Sequence, residues 1–349
     1  MININIKKVI QDNSNQRVVF VNEASSSIGM GHILRSMELA RIMSSRGYNV
    51  TGITIGDQKA VSFVQERAKD ELFNWSQQTV QNSQSAIDCI KNVSPSVIVV
   101  DCSESSLNIV EACMASGIVV VALDYFLTQQ PLPAVIINLI DHNSSSLSGQ
   151  PPPRNGVAYF EGPQYAIIRN EFLESRVNRI NREERSLIKN ILIAFGGADP
   201  SGNTRRALEE LAKWPSKFSI DVIVGPLFTL DIESLITKLK FKCKIKTHKS
   251  PKNMGKLFEN ADLVLCGGGG TLLEALCVGI PSIVIAQNEA ELRHAKALAD
   301  CDACWVFNQA NWEHVKVSDK RKQMSKIAQT CIDGRGAERI CDVIEQQIN

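Results

Sequence analysis

Leu263-Val264-Leu265-Cys266-Gly267-Gly268-Gly269-Gly270-Thr271-Leu272-Leu273-Glu274-Ala275-Leu276-Cys277-Val278 is a strand-length apolar run, four glycines and a helix-length run stopped by Gly279-Ile280-Pro281. The pattern predicts a strand, a turn and a helix. Four successive glycines cost more backbone entropy than a plain turn needs, and the close approach of phosphate oxygens to backbone N–H groups at a helix start accounts for them. No Lys follows at Walker spacing, which disfavours kinase and ATPase chemistry. Glu274, three residues after Thr271, reads either as part of a capping box with that threonine or as an acceptor for ribose hydroxyls.

Two more junctions repeat the design. Val18 to Asn22 runs through Ala24-Ser25-Ser26-Ser27 into Gly29-Met30-Gly31-His32 and a helix, and Ile191 to Phe195 runs into Gly196-Gly197-Ala198-Asp199-Pro200. The first junction does not complete a dinucleotide fingerprint, because the third glycine would fall at Leu34, a side chain too bulky for close helix-to-strand packing. His32 reads either as a helix cap or as a proton carrier near neutral pH. In the other glycine loop, Ser201 or Asn203 is placed to cap the following helix. A fourth strand end, Ala286-Gln287-Asn288-Glu289, offers amide side chains suited to sugar hydroxyls, although these are also ordinary turn residues.

Further outward, near-continuous β-branched runs recur at Val50 to Ile55, Val97 to Val100, Ile118 to Leu123 and Val135 to Leu139, then at Ile220 to Val224, Lys244 to Thr247, Ser282 to Ile285 and Cys304 to Phe307. Runs without strict alternation mark strands buried on both faces of a parallel sheet. The series breaks at 141–155, where Ser144-Ser145-Ser146 and Pro151-Pro152-Pro153 read as a loop or linker, and resumes after the charged stretch 176–189. Two doubly wound α/β domains are expected, with a ligand in the cleft between the carboxyl ends of their strands.

Composition narrows the function. A net charge of +1 supplies no general field for nucleic acid or anionic membrane, and 44% hydrophobic content with 21% charged residues fits a globular protein. No run approaches a spanning helix, and the polar segment 1–16 has no signal-peptide core, so a cytoplasmic protein is expected. Ten cysteines then read as reduced, and Cys301-x-x-Cys304, without a zinc-spaced partner, reads as packing. No metal and no cofactor are expected. His142, His248, His294 and His314 read as solvated, with His294 close behind Asn288.

Together the loops resemble the GT-B nucleotide-sugar enzymes, and most closely the UDP-sugar hydrolases of pseudaminic acid biosynthesis, relatives of the peptidoglycan N-acetylglucosaminyltransferase. The residues that carry the resemblance are Gly29-Met30-Gly31-His32-Ile33-Leu34-Arg35, Gly162 through Arg169 to Phe172, Phe195 to Pro200, Gly268 to Glu274, and Asp333-Gly334-Arg335-Gly336-Ala337. The resemblance implies a GT-B fold of two Rossmann-like domains: 1–160 on the sugar side, a linker at 161–185, a nucleotide-binding domain at 186–332, and a terminal helix, 333–349, packing back on the first domain. It implies His32 as general base for water, cleavage of a UDP-linked amino-deoxysugar, and a binding set of Gly29, Gly31, Arg35, Gly196, Gly197, Asp199, Gly268, Gly269, Gly270, Thr271, Glu274, Gln287, Asn288 and Glu289. Departures stand at Asp101-Cys102-Ser103, where that family carries Asp-His-Tyr, at Leu123-Asp124-Tyr125, and at Gln287-Asn288-Glu289. A glycosyltransferase with His32 as base, or a non-catalytic nucleotide-sugar-binding relative, uses the same features differently. The sugar and the oligomeric state are not specified by the sequence.

Overall fold

The computed structural model describes residues 13–25, 28–57, 62, 75–103, 105–125, 127–139, 156–180, 186–215, 217–307 and 312–348. Strand β1 (Arg17–Ala24) is flanked by β2 (Asn49–Gly56) and β4 (Val97–Asp101), with β3 (Trp75–Val80) outside β2 and β5 (Val119–Leu123), β6 (Val135–Asn138) and β7 (Ala158–Glu161) beyond β4. Every described pairing in this seven-stranded sheet is parallel. The second sheet, also parallel, is centred on β8 (Asn190–Ala194). It runs outward through β9 (Ser219–Val224) to β10 (Ile245–Lys249) on one side, and through β11 (Leu263–Cys266) and β12 (Ser282–Val284) to β13 (Trp305–Val306) on the other.

Central strands are covered on both faces, which is why they read as unbroken apolar runs. In the first sheet, Val18 and Phe20 face one core while Val19 and Val21 face another; in the second, Leu192 and Ala194 oppose Ile191 and Ile193 in the same way. The strands that the sequence pattern misses, β3 and β7, are the two edges of the first sheet. Trp75-Ser76-Gln77-Gln78-Thr79-Val80 and Ala158-Tyr159-Phe160-Glu161 lack the run that burial on both faces imposes. The linker 141–155, with His142, lies outside the described residues, as do Ser26 and Ser27.

In each sheet the strand order reverses beside the first strand, between β1 and β4 and between β8 and β11, so a crevice opens at the carboxyl ends of those strands. The two crevices belong to one cleft. A Cβ on Gly197, after β8, would lie 3.0 Å from the Met30 side chain, and Met30, Ile33 and Met37 share an apolar cluster with Leu227. The chain crosses back as well: Ile340, Cys341 and Ile344 of the terminal helix Gly336–Ile348 pack on Leu39, Ala40 and Met43. Gly336 permits this, since any Cβ there would fall 2.2 Å from the Ala166 carbonyl oxygen.

Candidate active site

At the first crevice, the helix Gly31–Ser45 begins after its N-cap Met30, which follows Gly29, whose φ of +85° a side chain would resist. His32 and Arg35, three residues apart, lie on one face of that helix. Both reach the end of β4. His32 Nδ1 is 2.7 Å from Asp101 Oδ1, and Arg35 donates through Nε to Asp101 Oδ2 at 2.5 Å and through Nη2 to Oδ1. The third nitrogen group, Nη1, donates to Asp124 Oδ2 at 2.8 Å. Asp124 is itself fixed, with φ at +50° and Oδ1 accepting from the Leu139 N–H at 2.9 Å.

Asp101 is wholly buried, whereas 21% of the His32 side chain remains exposed. Burial would raise the Asp101 carboxyl, but the charges and hydrogen bonds of Arg35 and His32 outweigh it and hold it well below the usual carboxylate range. Asp101 is therefore ionised and only accepts. His32 must donate to it from Nδ1, which leaves the Nε2 lone pair for a proton from the cleft. Arg35 is half-buried, and against that desolvation Asp101 and Asp124 raise its guanidinium above its ordinary range.

The loop after β4 is tied down from β1. Glu23 Oε2 accepts from the Ser103 N–H at 2.8 Å and its hydroxyl at 3.1 Å, and Oε1 accepts from the Ser105 N–H at 2.8 Å. Cys102 is buried and its thiol is pushed up by that burial and by the neighbouring Glu23 and Asp101, so it is held as the uncharged thiol. Of the departing triplet, Asp101 thus keeps a role in the site while Cys102 packs. Sequence reasoning missed Asp101 because no spacing rule links positions 32 and 101; the parallel pairing of β1 with β4 does.

At the second crevice the helix Gly270–Val278 starts inside the glycine run, with Gly269 at its N-cap and no side chain capping it. The capping-box alternative for Thr271 and Glu274 is thereby corrected. Among the described residues the N–H groups of Gly269, Gly270 and Thr271 make no hydrogen bond to protein, and a Cβ on Gly270 would meet nothing within 4 Å. These are open anion donors at a helix start. The loop behind them is gripped from the helix Glu289–Asp300: Glu291 Oε2 accepts from the N–H groups of Gly268 at 2.9 Å and Gln287 at 2.8 Å, and His294 Nδ1 lies 2.8 Å from the Gly268 carbonyl oxygen. His294 is buried, not solvated as its sequence position suggests. His248 is likewise paired, with Asp221 at 2.7 Å.

Glu274 is buried and held by Arg169, which donates Nε to Oε1 at 2.7 Å and Nη2 to Oε2 at 3.1 Å. The pair fixes the orientation of the Glu274 carboxylate. Arg169 also donates to Glu171 at 2.8 Å and stacks on Phe172, with 4.7 Å from guanidinium to ring centre.

Other members of the expected binding set have structural work. Asp199, at φ +48°, accepts from the N–H groups of Asn203 and Thr204, both at 2.8 Å, and so caps the helix Asn203–Leu211 in place of Ser201 or Asn203. Asn288 caps the helix Glu289–Asp300 through the Glu291 N–H at 2.9 Å. The Glu289 side chain is 94% exposed beside Arg293, and Arg35 is held between Asp101 and Asp124. Gly196 holds φ at +76° for its turn, and Gly197 makes room for Met30. Cys304 is buried, its thiol pushed up to about 12 by desolvation, in keeping with packing.

Two parallel-sheet α/β halves with a shared cleft define a GT-B fold, and solved GT-B structures superpose on nearly the whole chain. Acinetobacter baumannii MurG matches with a TM-score of 0.64 at 16% identity over 95% of this chain and 99% of its own. UDP-GlcNAc 2-epimerase from Neisseria meningitidis, bound to UDP-GlcNAc, matches with a TM-score of 0.63 at 12% identity over 95% and 100%. Residues 192–332 match the glycosyltransferase family 28 C-terminal domain. Among curated relatives, an uncharacterised protein of Methanocaldococcus jannaschii is 31% identical over 79% of this chain and 56% of its own length. The spore coat polysaccharide biosynthesis protein SpsG of Bacillus subtilis is 27% identical over 54% and 60%. The chain thus spans little more than half the length of those relatives. Among the described residues, no helix is long and apolar enough to cross a membrane.

Proposed function

We propose that the protein transfers a sugar from a UDP-linked donor to an acceptor hydroxyl, with His32 as the base. The observation that carries this reading is an imidazole tied at Nδ1 to an ionised carboxylate, its Nε2 left for the cleft into which the loops of both halves converge. In the step, Nε2 takes the acceptor proton as the acceptor oxygen bonds to the anomeric carbon. The bond from that carbon to the diphosphate breaks, and its electron pair leaves with UDP. The developing charge on the leaving diphosphate is stabilised by the N–H groups of Gly269, Gly270 and Thr271 and the positive end of their helix. Glu274, aimed by Arg169, accepts from the ribose hydroxyls.

The match of 192–332 to a glycosyltransferase domain supports transfer. The Gly29-Met30-Gly31-His32 motif supports a second reading, hydrolysis, in which water is the acceptor and every other role is unchanged. Purified full chain incubated with a panel of UDP-amino sugars separates them. UDP release that needs an added carbohydrate acceptor establishes transfer, and equal release without acceptor establishes hydrolysis. UDP binding without turnover in either arm overturns both and leaves a binding protein.

A further inference from the structure

We infer that Arg35 and Asp124 are positioning residues for the His32 base: with Asp101 they form a chain of ion pairs that aims the imidazole at the cleft, and Arg35 is not an anchor for a substrate anion. The inference rests on His32 being the base. Its ground is where the guanidinium donors go. Nε and Nη2 are spent on Asp101 and Nη1 on Asp124, while Asp124 is pinned by its left-handed backbone and by the Leu139 N–H. Three of its five N–H groups are committed to carboxylates, and an arginine held at both ends, with 19% of its side chain exposed, is not free to follow a phosphate.

The chain also places charge of both signs beside the ring. The buried Asp101 carboxylate lies 2.7 Å from the imidazole and orients it, and Arg35 Nη2 lies 3.5 Å from His32 Nδ1. Asp124 compensates Arg35 from its far side. Among the described residues, Glu23 on β1 is a further carboxylate at this end of the sheet, and it is committed to the Ser103 and Ser105 N–H groups. The cluster therefore sets one guanidinium between carboxylates from β4 and the end of β5, and changing either end of the chain alters the charge beside the ring in a known direction.

The test uses the full chain, the UDP-sugar donor found to react, and ring-nitrogen NMR of His32. Arg35→Gln removes the cation, so the acidic limb of the rate profile should move up by about one pH unit while UDP affinity stays within about twofold. Arg35→Lys keeps a charge but cannot bridge both carboxylates; turnover should fall with the limb near its wild-type place. Asp124→Asn, which spares the buried Asp101 pair, should move the limb the opposite way, to lower pH. A limb that stays put in both Arg35→Gln and Asp124→Asn, with the UDP-sugar KM of Arg35→Gln raised tenfold or more, overturns the inference and makes Arg35 a substrate contact. If no nucleotide sugar is turned over, the transfer reading fails by itself, and NMR still decides the chain. A wild-type ring protonated at Nδ1, titrating at higher pH in Arg35→Gln, supports it; a ring protonated at Nε2, or an unmoved titration, overturns it.

Discussion

The two crevices use glycine for opposite purposes. In the first, Gly29 and Gly31 frame a side chain, and the chemistry lies in His32, Asp101, Arg35 and Asp124, each fixed by another. In the second, the backbone N–H groups of the glycines are the open donors, and the side chains that matter, Glu291 and His294, stand behind the loop holding Gly268 by its N–H and its carbonyl. In the proposed reaction one half carries proton chemistry, which needs a side chain of suitable basicity, and the other carries anion binding, for which oriented backbone dipoles suffice. The difference predicts that substitutions in the first half alter rate and those in the second alter affinity.

His32→Ala is the strongest way to break that division. Removing a general base costs about 10²–10⁴ in turnover. UDP affinity measured by calorimetry should hardly change, and an equal loss of both would show that the nucleotide also sits on the first half.

The glycine run supplies a paired test. At Gly268 a Cβ would come within 2.6 Å of the Glu291 carbonyl oxygen and 2.9 Å of its Cβ, so Gly268→Ala should cost about 1–3 kcal/mol of stability as the loop is forced away. At Gly270 there is open space, and Gly270→Ala should keep its melting temperature while losing about tenfold in UDP affinity, ~1.4 kcal/mol, because the methyl group takes the place of the phosphate. If Gly270→Ala binds UDP normally, the diphosphate lies elsewhere.

What could be read from sequence followed the same division. Strands buried on both faces and glycines at strand ends are local signals, and they exposed the doubly wound pattern and both crevices. Partners distant in sequence left no such signal. Asp101 stood out only as the surviving residue of an altered triplet; His294 reads as solvated from sequence and Glu291 gives no signal of its own, and it is the fold that sets both against Gly268. Asp199 and Asn288 show the converse: short polar side chains next to glycine look like ligand contacts, yet helix starts need the same residues as caps.

Glu274 lies between the two kinds of site, being a side chain that serves the nucleotide half. Glu274→Gln should weaken UDP by roughly three- to tenfold, ~0.6–1.4 kcal/mol, and leave inorganic phosphate affinity unchanged, since the ribose is lost and the N–H donors remain. Some stability should go with it, because Arg169 then faces a neutral amide from a buried position. Loss of stability with intact UDP affinity would assign Glu274 to the Arg169 pair alone.

The smallest effect concerns what joins the halves. Arg339, in the terminal helix, donates to Asp333 and also to the Gln164 carbonyl at 2.8 Å, tying the end of the second half to the crossover segment. The Arg339 hydrogen bond holds the Asp333 carboxyl below its ordinary range, and a group depressed on folding adds stability above its unfolded pKa and loses it as pH falls through the folded value. Asp333 is 39% exposed, so solvent screening limits Asp333→Asn to about 0.2–1 kcal/mol at neutral pH. Denaturant melts of the two proteins should differ by that amount above about pH 5 and converge as the pH is lowered below the ordinary carboxylate range. A gap that persists in acid would mean that the Asp333 contribution does not depend on its charge, and that the turn at Gly334 and the packing of Gly336 on Ala166 hold the crossover without it.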